Sequence, residues 1–272
     1  MFQSLKRLVI GTPIASADEG HQRLPKKVAL PVFASDALSS TAYATEEILV
    51  ILALAGSVAL GLSIPIAVAI AILLVIVTIS YRQTIYAYPN GGGAYIVARE
   101  NLGETAALVA GSALLTDYVL TVAVSISSGV AQIISAFPEL APFRVVLAVA
   151  IIGFVTLINL RGVRESGAVF AVPTYFFLVM MVITLGVGFF RWATGTLGVV
   201  TGVEMLETTA APITLFLILR AFSSGSTALT GIEAISNGIT AFKEPKSANA
   251  AKTLTAMSRI CLLYTSPSPR DS

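Results

Sequence analysis

Few residues in this chain could do chemistry, and those that could lie where a charge is costly. Between Phe33 and Leu49 the stretch FASDALSSTAYATEEIL places Asp36, then Ser39, Ser40, Thr41 and Tyr43, then Glu46 and Glu47, in a segment that otherwise reads as a first membrane-spanning helix. A second carboxylate, Asp117, is followed at intervals of four by Thr121 and Ser125. That spacing puts the three on one stripe of a 3.6-residue helix, with Tyr118 at its border. A third, Glu233, follows Thr230 in the glycine-bracketed run FSSGSTALTGIEAISNG. An ionisable group in hydrocarbon is retained where it faces a partner, an ion or a water-filled cavity. Close helix packing accounts for serines and glycines on a stripe, but it does not need a carboxylate. Asp36, Asp117 and Glu233 supply negative charge, and Tyr43, Thr121, Ser125 and Thr230 supply neutral oxygens. Such a set suits a weakly hydrated monovalent cation. Neighbouring carboxylates titrate as a coupled group, so one of them can also carry a proton.

Other chemistries lack their residues. His21 is the only histidine and lies in a polar leader, so no histidine-centred catalytic or metal site can be built. Cys261 is the only cysteine, which excludes an internal disulfide and a multi-cysteine metal site. No credible nucleophile–base pair is present, and an enzyme is not expected. Neither is any cofactor. The run PNGGGAY lacks the lysine and following serine or threonine of a phosphate-binding loop and reads as a tight turn or re-entrant connection. The basic residues are scattered between apolar blocks, so no nucleic-acid surface forms.

The elements that must position these residues follow from composition. Of 272 residues 56% are hydrophobic and only 12% charged, against about a quarter charged in a soluble domain. With a mean hydropathy of +0.86, the chain reads as an all-α polytopic membrane protein. Residues 1–28 form a basic cytoplasmic leader. Helices are expected near 30–56, 64–86, 105–134, 144–160, 167–190 and 213–241, with Pro173 near the start of the fifth, where a first turn tolerates it. Residues 191–212, with Glu204 and Glu207, read as a polar connection. An inside N-terminus puts Lys6, Arg7, Arg23, Lys26, Lys27, Arg82, Arg99, Arg161, Arg164, Lys243, Lys246 and Lys252 on the cytoplasmic side and only Arg144 and Arg191 opposite. This bias supports six spans with both ends inside. The first and sixth helices share apolar ends and a centre rich in glycine or hydroxyls, the pattern of discontinuous helices that meet at the midplane of secondary transporters. Arg220 is a weaker candidate, pairing with a carboxylate or lining an outer entrance.

Several long passages carry a family resemblance: SSTAYATEEIL, ISYRQTIYAYPNGGGAYIVARENLG, LTDYVLTVAVSISSG, NLRGVRESG and AFSSGSTALTGIEAISNGITAFKEP. From about residue 1 to 258 the chain resembles the N-terminal half of the amino acid-polyamine-organocation (APC) superfamily, and within it the KUP-type potassium importers. The resemblance implies a LeuT-like inverted-repeat fold, proton-coupled potassium uptake across the cytoplasmic membrane, and homodimers. It also implies potassium-site and coupling roles for Asp36, Tyr43, Asp117, Tyr118, Thr121, Ser125, Thr230 and Glu233. The alternative within the superfamily is an amino acid permease, against which Asp36 argues, because it would repel a substrate carboxylate at the first-helix break. A purely structural membrane subunit does not account for three intramembrane acids, and the paired interrupted helices favour a carrier over a channel.

From about Ile260 the text ICLLYTSPSPRDS departs from the pattern, since its two Ser-Pro pairs cannot continue a membrane helix. Residues 259–272 therefore read as foreign to a permease domain at 29–258 truncated after about six helices. Transport by the chain alone is not expected, because alternating access needs a second bundle to move against.

Overall fold

The computed structural model describes residues 23–160, 163–198 and 212–265. Lys6, Arg7, His21, Arg161, Glu204, Glu207 and the two Ser-Pro pairs lie outside the described residues, as does the side chain of Arg164.

The chain is built from helices. The first, α1, spans Lys26–Ala53. After it come the short α2 (Ser57–Leu60), α3 (Ser63–Ala87), α4 (Gly93–Leu102) and α5 (Glu104–Ala136). A 3-10 turn at Pro138–Phe143 leads to α6 (Arg144–Asn159) and then α7 (Val163–Ala193). The sixth expected helix is divided. It comprises α8 (Leu215–Gly225), a 3-10 turn at Ser226–Leu229, an extended Thr230, α9 (Ile232–Asn237) and a final 3-10 turn at Ile239–Ala241. Last comes α10, Lys246–Thr265.

Alpha-1 is the hub, packed against α7, α8, the 3-10 turn after α8, and α10. It is long enough to cross a bilayer, at about 42 Å. Even so, it is absent from the five stretches apolar enough to cross on composition, which are Ser57–Ala87, Glu104–Ala136, Pro138–Asn159, Ser166–Ala193 and Leu215–Asn237. Its hydroxyls and carboxylates lower its hydropathy. Being enclosed by neighbours, it does not need an apolar exterior. The reverse holds for α6, which buries no residue and exposes Val145, Val149, Phe154 and Leu157. In a polytopic membrane protein such a surface faces lipid or another transmembrane element.

Three expectations need correcting. The first helix is not interrupted: its central hydroxyls fold back on its own carbonyls, Ser39 Oγ donating to Asp36 O at 2.9 Å and Thr41 Oγ1 to Ala37 O at 2.6 Å. Bonds of this kind keep a serine or threonine inside a helix. The discontinuous pair thus reduces to one broken helix facing one intact one. Secondly, the glycine-rich connection contains a helix, α4, because Gly91, Gly92 and Gly93 take up the turn at φ 80°, 98° and 44° and leave AYIVARENL free to coil. Thirdly, α7 begins at Val163, so Pro173 lies in its interior. Apart from these, the described helical path runs past Ile260 to Thr265, with Met257 and Cys261 fully buried in the same apolar cluster as Ala34 and Ala37 of α1.

What brings the broken helix onto α1 is the absence of side chains. A Cβ on Gly225 would strike Ile48 and Ile70, and one on Gly238 would strike the Phe33 ring. At the break itself, Gly231 has φ +81°, and a Cβ there would lie 2.9 Å from both Ala37 N and Asp36 Oδ2. The lower end is fastened by Leu24, whose N–H donates to Ala241 O at 2.7 Å while its carbonyl accepts from Lys243 N at 3.2 Å. An ion pair of Arg23 with Glu244 at 3.5 Å lies alongside. Gly231→Ala is expected to combine backbone strain with a clash and to cost roughly 1–3 kcal/mol. A fall in the thermal unfolding midpoint of the detergent-solubilised protein checks this, and an unchanged midpoint would contradict the close approach.

Candidate functional site

Asp36 lies one third of the way along α1, half-buried, with its carboxylate against the Gly231 break. Glu233 is the second residue of α9, directly after that break. Asp117 comes from α5 across the bundle. The three interact electrostatically with one another. Among the described residues, however, no group of three or more His, Cys, Asp or Glu side chains is close enough to chelate a metal ion. The carboxylates therefore share a region at Coulombic range and do not converge on a single point.

The polar stripe of α5 faces inward. Asp117, Tyr118, Thr121 and Ser125 are each partly buried, whereas Val119, Leu120, Val122 and Val124 between them are exposed. A helix between lipid and a polar interior sorts its residues in this way. On α1 a matching line runs through Asp36, Ser40 and Tyr43. The Asp36 side chain hydrogen-bonds to Ser40, and the fully buried Ser40 Oγ shares a 3.0 Å hydrogen bond with the Tyr43 hydroxyl. Tyr43 and Ser125 meet in a cleft of about 530 Å³ between α1, α5 and α7, which Ser35, Ser39, Glu46, Ser128, Gln132 and Thr174 also line. A neighbouring cleft of about 390 Å³ holds both Glu46 and Glu47. Thr230 occupies the extended residue before Gly231, and its hydroxyl donates to the Thr227 carbonyl.

Of the eight residues singled out from the sequence, Thr121 is partly buried on the α5 stripe and Thr230 stands at the break of the sixth helix. Three carboxylates and Tyr118 form one electrostatic group, and Tyr43 and Ser125 form the wall of an adjoining cleft. Arg220 is exposed on α8 and belongs to none of the described ion pairs, so it stands apart from this group.

Sequence reasoning missed several participants. Asn237, at the end of α9, donates from Nδ2 to the Tyr118 hydroxyl at 2.7 Å. Tyr81 of α3 comes within electrostatic reach of Glu233. Thr227 and Ser236 also belong here, because the buried atoms Asp36 Oδ1, Thr227 Oγ1, Glu233 Oε1, Ser236 Oγ and Asn237 Oδ1 have no hydrogen-bond partner among the described residues. For Asn237 and Ser236 the available signal was the hydroxyl-and-amide text ISNG just after Glu233. Tyr81 carried none, being one tyrosine at the end of a long apolar run.

A buried oxygen without a donor costs about 1–3 kcal/mol, and more when charged. Five such atoms, two of them on Asp36 and Glu233 themselves, make a region that is short of hydrogen-bond partners. Such an arrangement can accept a cation on mixed carboxylate and neutral oxygens, or a proton on a carboxylate, either of which relieves the repulsion.

Comparison with known proteins agrees with this architecture. The potassium transporter KimA of Bacillus subtilis (strain 168) is 52% identical over 257 residues, covering 94% of this chain and 42% of that protein. The chain therefore spans less than half the length of the curated relative it matches. A family model described as amino acid permease matches residues 30–267. Matched over most of its length, and all-helical with a broken helix laid against a carboxylate-bearing one, the chain belongs to the amino acid permease family.

Proposed function

We propose that the protein acts as a secondary active carrier that takes up potassium together with a proton across the cytoplasmic membrane, its N-terminus inside. The observation that carries this reading is the shared region of Asp36, Asp117 and Glu233, where buried acceptor oxygens lack donors. Carboxylates held apart among neutral oxygens, with no chelating cluster among the described residues, suit a large monovalent ion better than a divalent one. The name of the relative, a potassium transporter, points the same way. In this proposal Asp36, Asp117 and Glu233 provide the charge, Tyr43, Tyr118, Thr121, Ser125 and Thr230 line the ion's path with oxygens, and one carboxylate takes up the coupled proton. Homodimerisation of the full-length protein belongs to the same proposal.

The second reading is amino acid uptake, which the family description favours. Substrate carboxylates are held in broken-helix carriers by free backbone N–H groups. Here α1 is continuous through its centre, so its amides are engaged in the helix, and Asp36 stands opposite the one break. Both features disfavour an anionic group at that position.

Rubidium uptake by cells lacking their own potassium importers and expressing the full-length protein checks the assignment. Asp36→Asn is expected to lower uptake by about tenfold or more, as loss of a charged contact to the ion would. Unchanged uptake would remove Asp36 from the site, and amino acid accumulation independent of potassium would favour the second reading. Coupling is tested in proteoliposomes, where an inward proton gradient alone is expected to drive rubidium accumulation above equilibrium. Equilibration without accumulation would indicate a channel or a uniporter.

A further inference from the structure

The Tyr118 hydroxyl is in electrostatic range of all three carboxylates, Glu233, Asp36 and Asp117. A phenol oxygen has one hydrogen to give and lone pairs with which to accept, so its partners decide which it presents to an ion. Its described partner is Asn237, donating at 2.7 Å from a different element, the far end of the short α9.

Asn237 is itself held by the glycine turn. Its backbone carbonyl lies 2.8 Å from where a Cβ of Gly91 would stand, and its side-chain Oδ1 occupies the place a Cβ of Gly93 would take. Gly93 opens α4, whose first turn has no side-chain cap. The residue therefore touches three elements at once: α9 by its backbone, the start of α4 by its amide oxygen, and α5 by its amide nitrogen. The amide cannot turn freely, because the turn is closed around it.

We propose that Asn237 is a positioning residue for the ion site. By donating to Tyr118 it fixes the phenol rotor, and by its seat on Gly91–Gly93 it ties the half-helix that carries Glu233 to α4 and α5. One lone pair of Tyr118 is then taken, its hydrogen is left for a carboxylate, and its remaining lone pair is left for the cation. This rests on the potassium reading above and adds to it a residue that sets the geometry without itself touching the ion. It also gives Gly91 and Gly93 a purpose beyond turning the chain, since a Cβ at Gly91 would crowd the Asn237 carbonyl and one at Gly93 would expel the amide.

The test uses the full-length protein in lipid nanodiscs, with rubidium as probe, in wild type, Asn237→Ala, Asn237→Asp, Tyr118→Phe and the double variant Asn237→Ala with Tyr118→Phe. Loss of the donor in either Asn237 variant is expected to weaken rubidium binding roughly three- to tenfold. The double variant should lose less than the sum of the two single losses, because both changes remove the same contact. The resonance of carbon-labelled Tyr118 should shift in Asn237→Asp without ion, a signature that mere loss of folding stability does not produce. Additive losses in the double variant, or an unshifted Tyr118 resonance, would overturn the positioning role. Wild-type protein that fails to bind rubidium removes the potassium reading and this role with it, whereas binding that is unchanged in both Asn237 variants removes only the role.

Discussion

The structure depends on one close approach, that of the α1 backbone at Asp36 and Ala37 to the left-handed turn at Gly231. A helix break exposes peptide groups that must find partners, and within a membrane it is tolerated only where protein or a polar cavity covers it. Alpha-1 supplies that cover. The contact in turn requires glycine on the broken helix: Gly231 admits the backbone at Asp36 and Ala37, Gly225 admits Ile48, and Gly238 admits the Phe33 ring. Bringing the backbones together also brings Asp36 and Glu233 into mutual range, at a cost in repulsion. The packing that stabilises the bundle is therefore what assembles the strained electrostatics of the site.

That coupling explains why intact and broken helices work together. Alpha-1 keeps its hydroxyls inside its own hydrogen-bond ladder, so it stays a stiff rod carrying a carboxylate. The broken helix concentrates its irregularity between Ser226 and Gly231. Movement of α9 relative to α1 would change the distance between Glu233 and Asp36, and with it the cost of keeping both ionised. In a site short of donors, a cation or a proton can relieve that cost, and either gives a change in binding a mechanical correlate. Repulsion that depends on distance is a physical basis for linking ion occupancy to helix position.

Much of the fold was legible in the residues. Helix 3 of the sequence reading, 105–134, is α5 at Glu104–Ala136, and helix 4, 144–160, is α6 at Arg144–Asn159. Long apolar runs between turn residues fix such helices nearly alone. The inward stripe Asp117–Thr121–Ser125 was equally visible, because its period is that of a helix. Less visible were features decided by where a hydroxyl or a glycine sends its hydrogen bond. Ser39 and Thr41 could break a helix or bond back into it, and composition does not choose between these. In the same way, a run of glycines marks a turn without revealing that a ten-residue helix follows or that an asparagine more than a hundred positions later fills the space above it.

The sequence by itself determined that this is a helical membrane protein with three costly acids, where its lipid-spanning segments lie, and which stripe of α5 is polar. These follow from transfer free energies and helical period, both local properties of the text. Only the tertiary structure decided that, of the two helices expected to be interrupted, the first is whole, that Asp36 meets the break at Gly231, and that Asn237 joins Tyr118 to the glycine turn. Those depend on contacts between residues far apart in the chain, where the absence of a Cβ on one element is meaningful only beside the atom that occupies its place.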